Sequence, residues 1–136
     1  MKTKTRSFLM LASIAAIPAL AGMYDQPYAL VEGGDNSETR KEARLVIAKI
    51  DGQSTRNPRK SDPIAPGEHL ITVRYSSTRH NQPDDTKEIK ITLEPCTRYR
   101  AVAVYETKLG DKWETKMYKE PIGECVAKMK KAAAGK

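Results

Sequence analysis

Beyond residue 40 the apolar positions recur at every second residue, a period that predicts strands with one face buried. The clearest case is 87–93, where Ile89, Ile91 and Leu93 fall on one face and Glu88, Lys90 and Thr92 on the other. Tyr99, Ala101, Ala103 and Tyr105 alternate in the same way with Arg100, Val102 and Val104. Trp113, Thr115 and Met117 alternate with Glu114, Lys116 and Tyr118. The run from Leu45 to Ile50 is apolar on both faces, as in a central strand, and Leu70 to Tyr75 is rich in β-branched residues. Tyr28-Ala29-Leu30-Val31 offers a short first strand. Turn chemistry separates these runs at Asp51-Gly52, Pro66-Gly67, Pro83-Asp84-Asp85, Pro95, Leu109-Gly110-Asp111 and Pro121-Ile122-Gly123. Gln53 to Ser61 lacks periodicity and reads as a loop or a weak edge. About seven short strands with turns between them predict an all-β fold, a small antiparallel β-sandwich of immunoglobulin-like shape, with an open barrel as the other arrangement.

The first 21 residues follow a different pattern. Lys2, Lys4 and Arg6 precede 14 uncharged residues from Phe8 to Ala21, closing on Ala19-Leu20-Ala21. A basic start, an apolar stretch and small residues at −3 and −1 are the layout of a secretory signal peptide, with cleavage after Ala21 marked by Ala19 and Ala21. The apolar stretch is shorter than the roughly 20 residues a membrane-spanning helix needs. The expected organisation is a signal helix at 1–21, an N-terminal segment with a short strand at 22–40, the sandwich at 41–127 and a basic flexible tail at 128–136. The only helix candidates are the signal and the Ala- and Lys-rich tail. Leu20-Ala21-Gly22 is followed by Met23 where a lipoprotein signal would carry the cysteine that accepts lipid, so the expectation is a periplasmic chain with no lipid anchor and no membrane span after processing.

Export changes the reading of the cysteines and of the charge. Cys96 and Cys125 in an oxidising compartment most simply form one disulfide; two free thiols, or a redox or metal pair, are the alternatives, and no CxxC spacing favours them. The formal charge of +7 resembles a nucleic-acid signature until it is located. Residues 22–127 hold 17 basic against 17 acidic side chains, and the excess lies in the first six residues and in Lys128, Lys130, Lys131 and Lys136. A phosphate-tracking surface would keep its charge within the folded part, so no nucleic-acid partner is expected. The lysine tail reads as a solvated end that would touch anionic lipid or cell-wall polymer weakly.

Catalytic chemistry has little to stand on. His69 and His80 are separated by a predicted strand, no third ligand joins either, and Glu68 points to the opposite face from His69. Ser76-Ser77 lacks a nearby base other than His80, and Asp84-Asp85 are neighbours on one turn rather than carboxylates facing across a cleft. Neither an enzyme, nor a cofactor, nor a metal is expected. The aromatic residues Tyr105, Trp113 and Tyr118 are the candidate binding residues, since ring faces exposed together would stack on a sugar or grip a protein. Core and cross-strand packing is the competing reading, especially for Trp113 beside a Cys96–Cys125 bridge. Arg98 and Arg100 read as surface ion-pair partners of Glu94 or Glu106.

The segment Val46 to Tyr75 resembles a PEGA-type β-domain. Lys49-Ile50-Asp51-Gly52, a proline-containing link, and Pro66-Gly67-Glu68-His69 leading into an apolar strand carry the resemblance. The whole chain after the signal, with Tyr28-Ala29-Leu30-Val31-Glu32-Gly33 early and Pro95-Cys96-Thr97-Arg98-Tyr99 late, is similar to small proteobacterial envelope proteins, many of them lipoproteins, a pattern from which Met23 departs. The Gly-x-Thr-Pro link of PEGA domains is replaced here by Gln53 to Asp62. The resemblance implies a small antiparallel sandwich in an envelope or surface protein, and brings no catalytic residue. The expectation is therefore a non-enzymatic periplasmic sandwich, an interaction or structural module whose partner is another envelope protein or a cell-wall polymer. The alternative is a carbohydrate- or peptidoglycan-binding module.

Overall fold

A computed structural model describes residues 22, 24–75, 85–106 and 112–135. The expected signal segment, with Ala19 and Ala21, lies outside the described residues, as do Met23, His80, Asp84 and the Leu109-Gly110-Asp111 turn. Two sheets pack face to face. One is built around β7 (Thr97–Tyr105), with β8 (Trp113–Pro121) antiparallel along one edge. Its other edge is shared end to end by β1 (Ala29–Gly33) and β2 (Glu42–Arg44). The second sheet runs in the order β4 (Gln53–Ser54), β3 (Val46–Ile50), β5 (Gly67–Tyr75) and β6 (Asp85–Leu93). The all-β sandwich is thus present, with one departure from the antiparallel expectation: β1 runs parallel to β7, Ala29 opposite Thr97 and Gly33 opposite Ala101.

The period-two faces meet between the sheets. Val31, Tyr99, Ala101, Ala103, Tyr105 and Trp113 from the first sheet close on Ile47, Ile71, Val73 and Leu93 from the second, all buried. Ile89 and Ile91 pack against this core while Glu88, Lys90 and Thr92 stay exposed, as the alternation predicts. The chain changes sheets at Leu45, fully buried between β2 and β3. There Gly33 lies against the Leu45 carbonyl, which a Cβ would approach to 2.5 Å, so no larger residue fits this corner. A register shift between Ile47 and Lys49 breaks the alternation of β3 and turns Lys49 to solvent. The weak edge expected after Asp51-Gly52 is the two-residue β4. The turn ahead of it needs positive φ at both Asp51 (51°) and Gly52 (80°).

The Ala- and Lys-rich tail, a helix candidate, is helical rather than a frayed end: α1 (Gly123–Ala134) starts four residues before the expected boundary at 127. Ile122, Cys125, Val126 and Met129 recur at helical spacing and pack against Tyr28 and Leu30, the side chains that β1 turns away from the sandwich interior. Their apolar stripe is the reason the segment is helical. β1 is therefore covered on both faces, by the opposite sheet and by α1, which suits a strand apolar at successive positions.

Candidate functional site

The predicted disulfide is formed: Cys96 and Cys125 are joined, with Cα atoms 5.2 Å apart. Cys96 occupies the Pro95–Cys96 turn between β6 and β7 at φ 52°, a left-handed position disfavoured for residues with a Cβ. Its N–H donates to the Tyr28 carbonyl at 2.8 Å, and its carbonyl accepts from Ile122 N–H at 2.9 Å. One turn thus ties β1, the end of β8 and α1 together, with both sulfur-bearing residues buried.

The aromatic candidates do not form an exposed platform. Tyr105 and Trp113 sit opposite each other at one end of the β7–β8 pair and are buried in the intersheet core, 8% and 4% exposed. The Tyr75 ring lies 5.8 Å from that of Trp113, and the Lys87 ammonium stands 4.2 Å above the indole and donates to the Trp113 carbonyl. Trp113 is not beside the bridge: it begins β8, and Pro121, just before the bridge cluster, ends it. The burial follows from the side of the strand each residue occupies, because Trp113 shares the inward face with Met117. Tyr118 lies on the outward face and is half-buried.

That outward face carries the most organised polar cluster of the molecule. β7 supplies Arg98 and Arg100, β1 supplies Glu32, β8 supplies Tyr118 and Glu120, and β2 supplies Glu42. Arg100 Nε lies 3.1 Å from Glu32 and its Nη2 3.0 Å from Glu120, while Arg98 reaches the same two carboxylates at 3.5 and 3.2 Å. The expected partners Glu94 and Glu106 are replaced because neighbouring strands place Glu32 and Glu120 directly alongside; Glu94 pairs instead with Lys119 at 3.0 Å. The loop after β1 is held over this face by Arg44, which donates through Nε to the Gly34 carbonyl at 2.7 Å. It covers Val102. What remains open is a cleft of about 440 Å³ bordered by Arg40, Glu42, Arg100, Tyr118 and Glu120.

Glu42 is the buried member, 3% exposed. It accepts hydrogen bonds from the Tyr118 hydroxyl and from Arg40 Nε, the latter at 2.9 Å. Lys116 Nζ stands 3.6 Å away. The Tyr118 hydrogen bond, with help from Arg40, holds the Glu42 carboxyl below the usual carboxylate range although burial opposes it. Such a group stays ionised at neutral pH and is a poor proton acceptor or donor; chemically the cleft offers fixed, alternating charges rather than a general acid or base.

A second cluster lies on the other sheet. His69 Nδ1 is 2.5 Å from Asp51 Oδ2 and its Nε2 is 2.7 Å from the Ala65 carbonyl. Both partners are acceptors, an arrangement that favours the protonated ring, in which both nitrogens donate. Its pKa is raised above the usual histidine value, chiefly by the Asp51 hydrogen bond, against desolvation. Asp51 is held low first by the Leu70 N–H, which donates at 2.9 Å, and then by His69. The pair fastens the β3–β4 turn to β5 and the Pro63–Pro66 link. The sequence reading sets Glu68 aside, on the opposite face from His69, and does not bring out Asp51 as the partner, because the two are 18 residues apart and meet only through the pairing of β3 with β5.

Among the described residues no group of three or more His, Cys, Asp or Glu is placed to hold a metal ion, and no helix is long and apolar enough to cross a membrane. Comparison with known proteins gives no matching family model, no matching curated protein and no matching solved structure.

Proposed function

We propose that the chain is an exported, disulfide-clamped β-sandwich of the cell envelope that serves as a non-enzymatic interaction or structural module, of PEGA-like type, in the periplasm. The observation that carries this reading is the buried Cys96–Cys125 bridge, which fastens a helix to a sandwich and is of the kind favoured in oxidising compartments. The signal-type N-terminus supports the same compartment. The PEGA-like part of the reading gains support from Asp51 and His69, which meet in one clasp. On this view the charged cleft beside Tyr118 and Arg100 is the surface open to an envelope partner, and its fixed ion pairs favour a polar partner that can exchange into them.

Fractionation of cells expressing the chain, with the N-terminus and thiol state read by mass measurement, tests the compartment. The expected product is periplasmic, begins near Gly22 and is 2 Da lighter than the dithiol. A full-length cytoplasmic chain with two alkylatable cysteines would overturn it. A periplasmic pull-down comparing the wild type with Arg100→Ala tests the module, and recovery of the same proteins by both would remove the cleft from the proposal. Glycan binding through a row of aromatic rings loses two of its three rings to the core. The Trp113 emission maximum should accordingly be blue-shifted and unmoved by peptidoglycan fragments.

A further inference from the structure

Part of the chain's charge excess is gathered on one helix. Residues 22–127 balance, Lys2, Lys4 and Arg6 precede them, and the surplus that follows is Lys128, Lys130, Lys131 and Lys136. The first three lie on α1, whose Cys125, Val126 and Met129 face inward. At about 100° per residue the lysines therefore spread over the solvent half of the helix. Lys130 and Lys131 are exposed, and Lys128 reaches across to the N-terminal segment, 2.5 Å from Asp25 Oδ1 and 3.1 Å from the Tyr24 carbonyl. Asp25 in turn accepts from Gly22 N–H at 2.9 Å. Tyr24, 59% exposed, is the large apolar residue that the described surface leaves in water, and its ring stands edge-on to Tyr28 at 5.2 Å.

We propose that α1 and Tyr24 form a docking surface for an anionic phospholipid bilayer, with the lysines over the headgroups and the tyrosine ring at the headgroup level. The inference rests on the envelope reading and specifies which surface meets the membrane. Two observations point to lipid. Lys128, Lys130 and Lys131 outnumber Glu124, the one acidic residue of α1, so the helix is positive toward an anionic leaflet. An exposed tyrosine beside lysines is the pairing favoured at a membrane–water interface. The bridge at Cys125 holds the helix in place, and Lys128 joins it to the segment that carries Tyr24.

The test is sedimentation of the protein, purified as cells produce it, with vesicles of pure phosphatidylcholine and with vesicles containing phosphatidylglycerol. Any retained N-terminal segment contributes to both, so the ratio of the two affinities isolates headgroup charge. A lysine near an anionic surface is worth about a fivefold change in partition. Lys130→Gln with Lys131→Gln should lower binding to the anionic vesicles roughly 20- to 30-fold, and Tyr24→Ser should weaken binding to both vesicle types. The charge-matched pair Lys49→Gln with Lys60→Gln, exposed on the other sheet and its loop, should change little. Equal binding to both vesicle types by the wild type, or equal losses in the two lysine pairs, would overturn the proposal. So would lysine-dependent binding to a soluble anionic polysaccharide in the absence of binding to the anionic vesicles. A cytoplasmic location in the fractionation experiment would remove the envelope reading while leaving vesicle binding measurable, so the two failures are distinguishable.

Discussion

The sandwich interior and the helix-covered back of β1 are both apolar and both buried, yet they are held by different means. Between the sheets, strands from both sides contribute a contiguous cluster of large side chains, Tyr99, Leu45, Ile47, Ile71 and Leu93 among them, each almost wholly buried. Behind β1 the cluster is five buried residues, two of them the bridged cysteines, with Val126 and Met129 only partly covered. A 12-residue helix with so narrow an apolar stripe is marginal by itself in water. The comparison teaches that the main core is stabilised by area removed from water, and the annex by a covalent tie.

The largest effect should come from the main core. Tyr99→Ala removes a side chain 2% exposed and also the acceptor for the Glu94 N–H, which donates to the Tyr99 hydroxyl at 2.8 Å. Cavity formation of this kind costs about 3–5 kcal/mol, and the lost hydrogen bond places the expected value toward the upper end. Thermal unfolding followed by circular dichroism should show one cooperative transition lowered by roughly 10–20 °C. A drop of only a few degrees would mean that the intersheet core repacks easily, and the contrast with the annex would fail.

Next comes the bridge. Cys96→Ser with Cys125→Ser releases a constraint between residues 29 apart in sequence. In the chain-entropy model this is worth about 3–4 kcal/mol. The distinguishing expectation is spatial. Hydrogen exchange should accelerate throughout α1 well before it does in β7, because β7 is enclosed by β1, β2 and β8 whether or not the bridge exists. Uniform acceleration across both elements would show that the annex and the sandwich unfold as one unit.

These two regions also differ in how much of them was legible in the sequence. The sandwich interior follows from period two, since a strand's burial depends on which of two faces a residue occupies, and Ile89, Ile91 and Leu93 or Tyr99, Ala101 and Ala103 announce the face directly. The annex depends on a helical stripe at Ile122, Cys125, Val126 and Met129 that is hidden among lysines and alanines. The even pair of cysteines in a chain read as exported pointed to the bridge, and the Ala- and Lys-rich tail to a helix, but neither showed the stripe by which that helix packs. The parallel pairing of β1 with β7 was not legible at all, because the side-chain period is the same for either direction. The candidate site was legible in part. The alternation puts Tyr118 on the opposite face from Trp113, as found, whereas its partner Glu42 is 76 residues away and lies across β7, which separates their strands. Tyr105 and Trp113 were read as possible ring platforms since composition does not say which face of a strand meets the opposite sheet.

A smaller effect is expected at the rim of the annex. Met129→Ala removes a partly covered side chain that packs behind β1, so its cost should be about 1 kcal/mol, well below that of a fully buried methionine. With the bridge intact, denaturant melts should show little change in midpoint while exchange in the last turns of α1 quickens. A loss matching that of Tyr99→Ala would mean that the helix contributes by area after all.

The smallest effect concerns the clasp on the second sheet, where neither area nor a covalent bond operates. The raised pKa of His69 means that its contribution is fully present below the ordinary histidine value of 6.5 and is lost as pH rises through the raised one. The lowered pKa of Asp51 means that its contribution is present above the ordinary aspartate value of 3.8 and is lost as pH falls through the lowered one. The two overlap on the mildly acidic side of neutrality, so the excess stability of the wild type over His69→Gln should be greatest there and should shrink toward alkaline pH. Glutamine can still donate to one acceptor but carries no charge, so it separates the ionic part from the hydrogen bond. The effect should be local to the β3–β4 turn, because Asp51 also accepts from Leu70 N–H and that bond survives the substitution. Urea midpoints measured from pH 5 to pH 9 for both proteins provide the check. A constant difference across that range would mean that His69 acts only as a neutral spacer between Asp51 and Ala65, and the imidazolium inferred from its two acceptors would be wrong.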